Sequence, residues 1–104
     1  MIGPQVRWER FAARRRRREQ EREREREREA TAGHTPTRSY DCCECEHPWP
    51  CPQARLALLL GFAGDRVGLL MYLGAHLARA LHQLPDTHPA LIVSQLMHWL
   101  PRRR

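Results

Sequence analysis

The chain has 104 residues and a net charge of +6, carried by 18 Arg with no Lys or Asn. So short a chain holds at most one domain, and its Arg/Glu-rich first third leaves about 60 residues for a core, a marginal length that buries too little surface to be comfortable without a staple such as a metal or a partner. The uncharged stretches Leu56–Gly64, Val67–Ala78 and Thr87–Pro101 fall short of the roughly 20 residues that span a bilayer, and the Arg run at 14–18 leads into ERERER where a secretory signal needs an apolar segment, so a cytoplasmic, reducing setting is expected.

Residues 1–30 form an Arg/Glu-rich tail. Twelve Arg face seven Glu over residues 1–38, so the basic surplus lies there. Segment 14–29, RRRRREQERERERERE, has no apolar period and offers no face to bury. In a helix its Glu and Arg three apart attract while like charges four apart repel. The helix propensity of Arg, Glu and Ala then favours a fraying, solvated helix, so the tail is read as helical or disordered and as contributing nothing to stability. Residues 31–40 are a linker, overlapping the Thr-, Gly- and Pro-containing run ATAGHTPTRS of residues 30–39.

Residues 41–101 are read as a cysteine loop plus an all-α, three-helix bundle. Cys51-Pro52 starts the first helix, with Pro where a missing N–H costs nothing. Leu56, Leu59, Leu60 and Phe62 are its expected inward face, and Gly61 with Gly64 ends it. Asp65 caps the second, in which Leu69, Leu70, Leu73, Leu77, Leu81 and Leu84 recur at three and four residues until Pro85. The third begins around Thr87–Pro89 and carries Leu91, Ile92, Leu96, Trp99 and Leu100.

All four cysteines fall within DCCECEHPWPC, residues 41–51. Adjacent Cys42 and Cys43 make poor disulfide partners, and Glu46-His47-Pro48-Trp49-Pro50 cannot form the helix that follows a redox C-x-x-C. Metal binding fits better. Cys42 and Cys45 of one tight turn can converge on a tetrahedral ion, with Cys51 at a helix start as third ligand. The fourth is His34, beyond the linker, or His47, inside the loop. Cys43 can substitute for a neighbour but cannot join both in one small turn. The expected cofactor is a structural zinc in a zinc-knuckle-like loop, with Trp49 packing against the bundle.

The pattern His34, Cys42-x-x-Cys45, Trp49-Pro50-Cys51, Arg55, Leu58-Leu59, Tyr72-Leu73, Leu77 and Leu84-Pro85 resembles a family of small actinobacterial proteins over about residues 34–100. The resemblance implies a C-x-x-C and W-P-C element followed by a helical C-terminal part, and it favours His34 as the histidine ligand. Some members carry a flavin-reductase label. Nothing in this chain resembles a flavin site, which needs a larger enclosing fold.

Elsewhere the chemistry is sparse. His76 and His82 are read as surface or boundary residues on different faces of one helix, His88 as a turn residue and His98 as an exposed helix residue. GFAGDRVG lacks the spacing and Lys of a phosphate loop, and no nucleophile has a catalytic context. The chain is therefore read as a non-enzymatic interaction module acting through a protein partner or a second copy of itself. An alternative is nonspecific nucleic-acid binding through Arg14, Arg15, Arg16, Arg17 and Arg18, aided by Arg102–Arg104, with Trp8 and Phe11 available to stack on bases.

Overall fold

From residue 5 to residue 32 the chain contains no Gly or Pro, and most of it is Arg, Glu and Ala. Good helix formers in an unbroken run give a long helix. In the computed structural model, which describes residues 4–102, this is α1, Pro4–Ala30. Arg103 and Arg104 of the terminal basic cluster lie outside the described residues. Left-handed backbone at Ala32 (φ 52°) and Gly33 (φ 83°) stops α1, with the Gly33 N–H bonded to the Arg28 carbonyl.

Three further helices follow: α2 (Pro52–Gly61), α3 (Arg66–Gln83) and α4 (Pro89–Met97). Their starts follow the local chemistry. Cys51 caps α2 with Pro at the first turn, the Asp65 carboxylate accepts the Gly68 N–H at 2.9 Å to cap α3, and His88 Nδ1 accepts the Ala90 N–H to cap α4. Gly64 turns between α2 and α3 at φ 78°, conformational space that L-residues with side chains avoid. The described residues contain four helices and no strand; two isolated bridges, Pro36 to Cys42 and Asp41 to Pro48, brace the loop. α3 packs on α4, and α1 touches α2.

The inward faces differ from the leucine pattern. In α2, Ala54 and Leu58 are buried, whereas Leu56 and Leu60 are exposed. Cys51 decides this: its side chain is buried in the loop, and Ala54 and Leu58, three and seven residues on, share its face. In α3 the buried line is Leu69, Leu73, His76 and Ala80, with Leu70 and Leu81 turned out. In α4 Ile92 and Leu96 are buried and Leu91 is exposed, while Trp99 and Leu100, expected on this helix, lie just beyond its end at Met97 and pack at the edge. Tyr40, Cys42, Trp49 and Cys51 of the loop belong to the same core as these helical side chains.

His76 corrects the reading of it as a surface or boundary residue, being only 2% exposed. Its Nε2 lies 2.9 Å from a Glu27 carboxylate oxygen of α1, and its Nδ1 lies 3.0 Å from the Tyr40 hydroxyl. The ring thus bridges the Tyr40 hydroxyl at Nδ1 and the Glu27 carboxylate at Nε2. The Nε2–Glu27 contact is short but poorly aligned for a hydrogen bond. Arg79 adds a guanidinium 3.7 Å from the same oxygen.

The tail therefore does not stay wholly outside the core. Most of α1 is solvated, but its last turn packs through Glu27 and Ala30, and Thr31, just beyond it, is fully buried. A histidine can be buried only with partners, and α1 supplies one. Deleting residues 1–20 should leave the melting temperature unchanged, whereas deleting residues 1–30 should lower it by several degrees; equal melting of the two would remove the role given to Glu27. Acid should do the same as the longer deletion. The His76 contact, helped by the charges of His76 and Arg79 and opposed by burial, holds the Glu27 carboxyl below its ordinary 4.5. A depressed folded-state pKa contributes stability that is complete above the unfolded value and is lost as pH falls through the folded one. The stability difference between the wild type and Glu27→Gln should therefore shrink below about pH 4.5.

Candidate metal centre

Three elements bring the ligand atoms together. The segment after α1 delivers His34, the loop delivers Cys42 and Cys45, and the cap of α2 delivers Cys51. Within the loop the Cys42 N–H bonds the His47 carbonyl at 2.7 Å and the Glu46 N–H bonds the Cys42 carbonyl at 3.0 Å, closing a tight turn through a left-handed Glu46 (φ 62°). Such a turn points the side chains two residues inside it, at 42 and 45, toward one spot. Cys51 is placed by extended backbone (φ −70°, ψ 167°), which aims its sulfur back over the helix start, where the Ala54 N–H faces it at 3.5 Å.

His34 Nδ1 stands 3.3 Å from Cys42 Sγ, 3.3 Å from Cys45 Sγ and 3.5 Å from Cys51 Sγ. The four ligand atoms lie within 4.8 Å of one another, close enough to hold a metal ion. Cys42 and Cys51 are buried; His34 and Cys45 are partly exposed. The other two candidates stand apart. His47 is exposed, with Nδ1 2.9 Å from the Cys45 carbonyl oxygen, and the exposed Cys43 sulfur faces the Gly33 carbonyl and the Thr35 hydroxyl, each at 3.4 Å.

Ionisation within the cluster is uneven. Burial opposes a Cys42 thiolate, yet the backbone N–H groups of Cys45 and Glu44, with His34 and Cys51, draw its pKa down to about 7. Cys45 moves the other way, to about 11, through desolvation, its hydrogen bonds to Cys51 and Cys42, and their charge. Three sulfurs this close cannot all be thiolates without a cation among them. A bound cation reverses that preference, because a coordinating thiol is deprotonated outright.

The surroundings hold the site rigidly. Trp49, fully buried, donates from Nε1 to the His34 carbonyl at 2.7 Å, which fixes the backbone of His34. As expected it packs rather than ligates, its ring centroid 4.7 Å from that of His76. Gln95 of α4 donates one amide N–H to the Tyr40 carbonyl at 2.9 Å and another to the Trp49 carbonyl at 2.8 Å. Arg55 donates from Nε to the Pro50 carbonyl at 2.8 Å and lies over the Trp99 ring. The sequence reading passed over Tyr40 and Gln95, and named Arg55 only within the resemblance pattern. Only Gln95 left a signal, as the one amide on a mostly apolar helix.

No protein-family model, curated protein or solved structure matches the chain. Among the described residues no helix is long and apolar enough to cross a membrane.

Proposed function

We propose that this chain is a non-enzymatic, zinc-stabilised helical interaction module, in which a zinc-knuckle-like loop closes a bundle of α2, α3 and α4 and the assembly acts through a protein partner or a second copy of itself. One observation carries the reading: a single imidazole nitrogen faces three cysteine sulfurs at nearly equal distance. A tetrahedral zinc with Zn–S of about 2.3 Å and Zn–N of about 2.0 Å places nitrogen and sulfur roughly 3.5 Å apart. The observed separations match that. A disulfide would instead pair two sulfurs and leave the third and the imidazole without a role.

Four protein ligands fill the coordination sphere, the mark of a structural rather than a catalytic zinc, since a catalytic ion keeps a position open for water or substrate. Helix α2 and the start of α3 offer Leu56, Leu60, Val67 and Met71 to solvent, apolar surface of the kind that protein contacts cover. A reducing compartment such as the cytoplasm keeps the thiols available.

Metal analysis of the purified protein tests the reading: about one zinc per chain is expected. Cys45→Ser and His34→Ala should each lose stoichiometric metal, while Cys43→Ser and His47→Ala retain it. Retention by Cys45→Ser, or loss by Cys43→Ser, would show that the ligand set is wrong.

A further inference from the structure

The outer part of α1 is separated from the bundle and from the metal centre, and its side chains form a pattern that neither explains. Residues 8–18 hold six Arg against one Glu, a local charge of +5, while residues 19–29 hold four Arg against six Glu. The basic charge is thus confined to the half of α1 that points away from the core. There Arg10 and Arg14 to Arg18 are all exposed, and among the described residues only Arg15 has a carboxylate near it, that of Glu19 at 3.5 Å.

Two aromatic rings sit in the same field. Trp8 and Phe11 are 67% and 58% exposed, with ring centroids 6.1 Å apart and planes inclined by 27°. Helical spacing continues their face through Arg15, Arg18 and Arg22, and Phe11, Arg14, Arg15 and Arg18 line one shallow groove. Stacked, solvent-facing aromatics followed at three and four residues by guanidinium groups are a surface that takes planar rings and phosphates together.

We infer that this face of α1 binds single-stranded nucleic acid, the bases stacking on Trp8 and Phe11 and the phosphates pairing with Arg14, Arg15 and Arg18. A single strand is favoured over a duplex because the rings can be used only by bases free to leave their own stack. It is favoured over an anionic membrane because the aromatic face runs directly into arginines. A membrane-surface helix needs a continuous apolar face, and seating this one would drive Arg15 and Arg18 toward the acyl chains. The inference concerns α1 and stands whether or not the loop holds zinc.

The test is fluorescence anisotropy of the full-length protein with a labelled twelve-residue oligothymidylate, a duplex of the same length, and vesicles of mixed phosphatidylserine and phosphatidylcholine. The oligothymidylate should bind at micromolar protein, more tightly than the duplex, with affinity falling steeply as salt rises. Replacing Arg14, Arg15 and Arg18 by Gln should flatten the logarithmic salt dependence by about 2, as expected when three phosphate contacts to a single strand are lost. The Trp8→Ala/Phe11→Ala variant should bind the single strand at least about fivefold more weakly, the loss of one stacked base, with duplex binding unchanged. All five positions are exposed, and unchanged helical circular dichroism shows that α1 persists. Unaltered single-strand affinity in the aromatic variant, no binding at low salt, or stronger binding to vesicles than to the oligonucleotide would each overturn the inference.

Discussion

Chelating the metal from the reduced protein should abolish cooperative thermal unfolding rather than merely lower its midpoint. The loop from His34 to Cys51 supplies Tyr40, Cys42, Trp49 and Cys51 to the buried core, yet it is irregular backbone held by two isolated bridges and scattered turn bonds. Structural zinc sites contribute apparent binding free energies of about 10–16 kcal/mol at neutral pH, whereas whole domains are stable by about 5–15 kcal/mol. A zinc bound here would thus contribute as much as the whole net stability of an ordinary domain. Without it three thiols and an imidazole crowd one small volume, the loop loses its closure and the core loses its largest aromatic members. Cys42→Ser should reproduce the chelated state, because its buried sulfur faces the histidine nitrogen and the neighbouring Cys43 sulfur is turned to the Gly33 carbonyl and the Thr35 hydroxyl. Circular dichroism should still show helix, with sharp melting gone. If the reduced, metal-free protein melts cooperatively at the temperature of the metal-loaded form, zinc is not what closes this fold.

Trp49→Ala should be the most damaging single substitution away from the ligands. The side chain is fully buried, ranks first in volume among the completely enclosed residues, and packs against Tyr40 and His76. Truncating a buried Trp or Phe costs about 3–5 kcal/mol. Here the indole N–H to the His34 carbonyl is lost as well, so the histidine ligand is freed along with the core. Urea unfolding of the metal-saturated protein should show a loss of at least about 3 kcal/mol, accompanied by weaker metal retention. The other two tryptophans calibrate the effect. Trp99 is partly buried, with its N–H on the Leu96 carbonyl, and Trp8 is mostly exposed. The order of destabilisation should be Trp49, then Trp99, then Trp8 with almost none. A Trp49→Ala protein as stable as Trp8→Ala would contradict the packing described. Trp49→Phe separates the two contributions, keeping most of the apolar volume while removing the donor.

Chelation tests the cation, and the Trp49 series tests the scaffold that positions it. They meet at His34, whose ring faces the sulfurs while its carbonyl is held by the indole.

The starts of α2, α3 and α4 and the clustering of cysteines with a histidine were legible from the amino-acid sequence because both are short-range properties. A cap such as Asp65, a Pro in a first turn, a Gly that turns left-handed and a C-x-x-C spacing act through backbone geometry over a few residues. The choice between His34 and His47 stayed open to spacing alone, and the folded chain brings His34 to the sulfurs while it turns His47 toward the Cys45 carbonyl. Which face of each helix turns inward was decided only by the tertiary structure. Leucines at 56, 58, 59 and 60 are nearly equivalent on a short helix until buried Cys51 fixes its rotation. The same holds for the Glu27, Tyr40 and His76 cluster. No periodicity marks a histidine for burial, because burial is tolerable only where partners meet it, and these come from α1 and from a loop residue 36 positions away. Residue chemistry and local spacing therefore determine where helices begin and which atoms can ligate, whereas the pairing of distant polar groups is settled when the chain packs and desolvation penalises every group left alone.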